Sequence, residues 1–120
     1  VCSSDLMQHA ATIAGPLAWI ADELQTHAEE EMEHAAMLND LIAFHGGIPS
    51  MLVGVTVSSS ETPTMLHYDL EAENVAITRY KERISQAQEL GEFGIVKVLQ
   101  EILAQEEEHA NDLRTVLNAK

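Results

Sequence analysis

One chemical phrase occurs twice in this chain of 120 residues: Glu31-Met32-Glu33-His34-Ala35 returns 75 positions later as Glu106-Glu107-Glu108-His109-Ala110. Each copy holds a Glu-x-x-His. On an α-helix, residues three apart lie about 60° apart around the axis and ~4.5 Å along it, so a carboxylate and an imidazole at that spacing point the same way and can share one metal ion. The 75-residue frame extends beyond the phrase, pairing Ile20 with Ile95, Leu24 with Leu99, Leu38 with Leu113 and Ile42 with Leu117. All these positions fall on one apolar stripe, the pattern of an amphipathic helix present twice.

A third stripe runs Leu66, Leu70, Glu73, Ile77, Tyr80, Ile84, with a glutamate at its centre. Burying that carboxylate is costly unless a cation pairs with it. Glu71 faces elsewhere and is assigned to solvent. Two Glu-x-x-His helices plus one glutamate from each of two further helices make the di-metal carboxylate centre of a four-helix bundle. Glu73 precedes Glu106 by 33 residues, and the equivalent partner of Glu31 would stand two positions before Val1. The opening Val1-Cys2-Ser3-Ser4-Asp5-Leu6 is what a common sequencing-adapter string encodes in frame. Residues 1–6 are therefore expected to be a non-native scar, and residues 7–120 one domain with its first helix mostly missing.

Helices are predicted at about 7–13, 16–45, 63–90 and 92–118. Pro16 is placed to open the second, Gly46-Gly47 to close it, and Thr62 to cap the third with Pro63 in its first turn. Gly91 breaks the third from the fourth. Residues 46–61 lack helical period, and although Val53–Val57 is β-prone, the stretch reads as a long crossover joining parallel helices, the ferritin-like topology.

Composition excludes several classes. Twenty acidic residues against six basic ones give a formal charge of −14, which leaves no basic footprint for nucleic acid. The single cysteine supports neither a disulfide framework nor a thiolate metal site. No apolar run is long enough to span a membrane and no signal peptide is legible, so a cytoplasmic location is expected.

The candidate ligands are Glu31, His34, Glu73, Glu106 and His109. Carboxylates with one imidazole per ion suit iron or manganese better than zinc or copper, and iron is preferred. His27, four residues before Glu31, is either a core histidine or an accessory ligand. Tyr80 reads as a core residue, Trp19 as a packing or subunit-contact residue, and Glu30, Glu33, Glu107 and Glu108 as solvated or cavity-lining. His9, His45 and His67 carry no signal.

These residues resemble bacterioferritin and its non-haem relatives from Met7 onward. The second-helix phrase Glu-Met-x-His-Ala is matched at residues 31–35, the third-helix Asp-Leu-x-x-Glu at residues 69–73, and the fourth-helix Glu-Glu-x-His at residues 106–109. The resemblance implies iron storage and detoxification in a homo-oligomeric shell, with Fe(II) oxidised by oxygen or peroxide at a di-iron site. It also leaves haem b open. Met32 stands where bacterioferritin's axial ligand stands, yet the same phrase occurs in ferritin-like proteins without haem. The absent first-helix glutamate departs from the pattern, so ferroxidase activity is expected of the full-length protein and impaired in these 120 residues. Two alternatives stay open: a di-metal peroxidase or catalase of rubrerythrin or manganese-catalase type, and a non-catalytic helical interaction domain.

Overall fold

The structure, a computed structural model, describes residues 3–12, 19–50 and 61–118. These contain four helices, α1 (Ser3–Thr12), α2 (Ala21–Phe44), α3 (Thr62–Glu89) and α4 (Phe93–Asn118), and no strand among the described residues. The all-α expectation holds. Helix bounds differ by a few residues, each for a local reason. α1 begins at Ser3, ahead of the expected residue 7, and its Leu6 is fully buried. A 3₁₀ turn at Trp19–Ile20 leads into α2, and no side chain caps that helix. Asp22 and Glu23 in its first turn favour the positive end of the helix dipole instead. The expected opening at Pro16 and the β-prone Val53–Val57 lie outside the described residues.

α3 starts one residue earlier than its side chains suggested. The Met65 amide donates to the Glu61 carbonyl at 3.1 Å, which makes Glu61 the N-cap and moves Thr62 into the first turn. Pro63 remains harmless there, because first-turn amides have no intrahelical acceptor to lose.

Both described helix ends at glycine close in the same way. Gly46 (φ +82°) and Gly91 (φ +72°) sit in the left-handed region. The Gly46 amide donates to Ala43 and the Gly47 amide to Ile42, at 3.0 and 2.8 Å; Gly91 donates to Gln88 and Glu92 to Ala87, at 3.0 and 2.9 Å. This pair of backward bonds is the Schellman motif, which satisfies carbonyls that the helix leaves open.

The chain divides into two compact units, Val1–Met65 and Leu66–Lys120. In the first, α1 packs on α2, with Leu6, Ile20, Leu24 and Ala28 buried. Burial along α2 stops at His34. Leu38 is half-buried and Ile42 exposed, so the apolar stripe read from the repeat is not buried to its end. In the second unit, α4 keeps its stripe buried from Val96 to Val116. Arg114 Nη2 donates to Asn74 Oδ1 at 2.8 Å and Lys81 Nζ lies 3.7 Å from Glu107. Numbers rise along α3 as they fall along α4, so the two form an antiparallel hairpin about the Gly91 turn. No helix among the described residues is long and apolar enough to cross a membrane.

The two glycines beside this turn should respond oppositely to alanine. A Cβ on either Gly91 or Gly94 would meet no atom within 4 Å, so backbone conformation alone decides. Gly91→Ala should destabilise by about 1 kcal/mol through its left-handed φ. Gly94→Ala, inside α4, should stabilise by about 0.5 kcal/mol through a less flexible unfolded chain. Urea midpoints of the two variants against the parent check the pair of signs.

Candidate metal centre

In the first unit, Glu31 and His34 lie one turn apart on α2. His34 Nδ1 is 3.7 Å from Glu31 Oε2, and the side chains are 3% and 9% exposed respectively. Two donors bound to one ion by bonds of ~2.1 Å can stand up to ~4.2 Å apart, so the pair is spaced to share a cation. Its neighbours Met32 and Glu33 are turned to solvent. The helical period separates them: three residues bring a side chain back to nearly the same face, while one or two do not.

The second unit carries the other copy, with Glu73 added from across the hairpin. Glu73, Glu106 and His109 each offer a ligand atom, all within 4.8 Å of one another, and all three are buried. Glu73 Oε1 lies 3.6 Å from His109 Nδ1, beyond ordinary hydrogen-bond range. Neither Glu73 oxygen has a hydrogen-bond partner, and the residue is 0% exposed. A fully buried carboxylate without a hydrogen bond, beside a second carboxylate, is strongly unfavourable on its own. A divalent cation reverses that balance. The residues therefore fit a metal of the hard, oxygen-preferring kind.

Sorting within the acidic run is sharp. Glu106 is buried while Glu107 and Glu108 are exposed, and on α3 Glu71 is exposed while Glu73 is buried. These assignments follow the stripe read from the sequence. Glu30 is half-buried and Glu33 exposed. His27 is buried on α2, 3.7 Å from the carboxylate of Glu23. Tyr80 is half-buried, and Trp19 is 63% exposed. Met32 is 47% exposed.

Two buried polar residues were missed by the sequence reading, Asp69 and His9. Asp69 stands one turn before Glu73, a spacing that places it on the same face and was available as a signal. Nothing in the pattern around His9 distinguishes it from the exposed His45 and His67.

Helices that present Glu-x-x-His, with a further glutamate buried opposite, define the class of ferritin-like carboxylate proteins. The chain belongs to the ferritin-like domain family, whose model matches residues 2–119. It is similar to a bacterioferritin of Brucella melitensis, 31% identical over 100 residues, covering 82% of this chain and 62% of that protein. It thus spans less than two thirds of that curated relative. Among solved structures it is similar to a ferritin-like, diiron-carboxylate protein from Bacillus anthracis str. Ames. That match has a TM-score of 0.92 and 26% identity, and covers 97% of this chain and 84% of the other. The fold is a ferritin-like helical bundle.

Glu73 generates a prediction with two opposite signs. In metal-free protein, Glu73→Gln should raise stability by about 1 kcal/mol, because it removes a buried charge without a hydrogen bond. With Co(II) added, the parent should gain thermal stability by linkage while the variant gains little. Thermal melts of both proteins with and without Co(II) measure all four states.

Proposed function

We propose that this protein oxidises Fe(II) to Fe(III) at a di-iron carboxylate centre held by Glu31, His34, Glu73, Glu106 and His109, in the service of iron storage and detoxification. The burial of the Glu73 carboxylate without a hydrogen bond is the observation that carries this reading, since a solvated acidic surface has no reason to hide a charge. The duplicated Glu-x-x-His supports it, as do relatives named for bacterioferritin and for a diiron-carboxylate centre. Burial of Glu73 and Glu106 weighs against an interaction domain whose acids are all solvated.

In this reading each imidazole supplies one neutral nitrogen donor, and the carboxylates supply the negative charge that favours a cation over water. The buried apolar stripes around them keep the donors oriented and limit water at the site. Iron, when bound, supplies one-electron redox chemistry towards oxygen or peroxide. A homo-oligomeric shell in the cytoplasm belongs to the same proposal. The exposed Met32 keeps haem b within it: a Soret band that disappears on Met32→Ala would establish that cofactor.

In the full-length protein, His109→Ala should slow Fe(II) oxidation at least tenfold, since even indirect partners of metal ligands are worth about 10–100-fold in affinity or activity. Helix content by circular dichroism should be unchanged, because the apolar stripe of α4 is untouched. Equal oxidation rates in variant and parent would exclude this site. Running the assay with oxygen and with peroxide separates ferroxidase from peroxidase chemistry. Metal affinity should also fall as pH falls, because protons compete for the same carboxylates and imidazoles. Co(II) titrations at successive pH values read this directly.

A further inference from the structure

We propose that Glu23 and His27 form a second, outer divalent-cation site on α2, where Fe(II) is captured before Glu31 and His34 receive it. The proposal rests on the di-iron reading above and adds residues that the reading does not use.

Glu23, His27, Glu31 and His34 follow one another at spacings of four, four and three residues. On a helix these fall within ~80° of one another around the axis and rise ~16 Å, so they form one column of alternating carboxylate and imidazole. The two pairs in the column are alike in geometry: His27 Nε2 is 3.7 Å from Glu23 Oε1, and His34 Nδ1 is 3.7 Å from Glu31 Oε2. Both separations exceed a hydrogen bond and both can be bridged by one ion.

Exposure gives the column a direction. Glu23 is 50% exposed and His27 only 2%, while Glu31 and His34 are both largely enclosed. A cation meeting the column from solvent therefore reaches Glu23 first. The formal charge of −14 raises the local concentration of cations at such a surface. With Glu23 half in solvent, water weakens the attraction of the outer pair for a cation more than it does for the enclosed Glu31–His34 pair, so the outer pair binds more weakly. That ordering lets an ion pass inward from His27 to Glu31, one helical turn of ~6 Å away. The step is ligand exchange alone, with no change of oxidation state.

Co(II) titration of the iron-free 120-residue protein, followed by visible absorption and calorimetry, tests the site without relying on turnover. Glu23→Gln is the main variant because its side chain is half in solvent and its loss costs α2 only a favourable first-turn charge; His27→Gln is the second, with circular dichroism as the control for folding in both. The parent should show a weaker class of Co(II) site whose affinity falls at least about tenfold in Glu23→Gln, with the tighter class unchanged. Slower Co(II) arrival at the tighter class in Glu23→Gln would support the capture role. Identical isotherms for Glu23→Gln and parent, in a protein whose Glu31→Gln variant does lose Co(II), would overturn the outer site and leave the di-iron reading standing. Unchanged binding in Glu31→Gln as well would remove the di-iron reading and the capture role with it.

Discussion

Glu73 and Glu106, two carboxylates enclosed with a histidine between α3 and α4, set the terms for the second unit. Withdrawing even one such group from water costs several kcal/mol when no cation accompanies it, a large share of the stability of any small domain. The hairpin carries that cost on its apolar stripe, where Leu99, Ile102 and Leu113 are buried around the polar cluster. Stability surrendered at one level of the hairpin is recovered on either side of it, an arrangement typical of sites kept for function and not for folding.

The same helices separate identical residue types with little more than rotation. Glu106 turns inward, while Glu107 beside it reaches Lys81 at the surface. Charge that would be ruinous inside is harmless outside, where an ion pair of this kind contributes little. The acidic excess of the chain is thus two populations. Among the described residues Glu73 and Glu106 are buried beside His109, while others such as Glu107 and Glu108 are exposed.

Much of this was legible beforehand, because both a helix face and a metal-ligand spacing are periodic. The four helices, the stripe through Glu73 and the facing of Glu31, His34, Glu106 and His109 all follow from residues three or four apart. What escaped was decided by backbone bonds or by packing across elements. The choice of Glu61 over Thr62 as N-cap is a matter of which carbonyl accepts the Met65 amide, and composition favoured the hydroxyl. Asp69 was matched only as part of the phrase at residues 69–73 and not picked out as buried, and His9 had no periodic neighbour to mark it. Ile42 failed in the other direction: the repeat placed it on a buried stripe, but α2 has nothing buried beyond His34.

The turn at Gly91 has a bearing on how the molecule forms. It joins α3 to α4 through so few residues that bringing the two helices together costs little loop entropy. Contacts close in sequence also tend to form early. Three of the five candidate ligands, Glu73, Glu106 and His109, stand on this one hairpin, two of them on a single turn of α4. Most of the candidate ligand set is therefore encoded as a local event, closed by a left-handed glycine, whose assembly does not wait for distant parts of the chain to find each other.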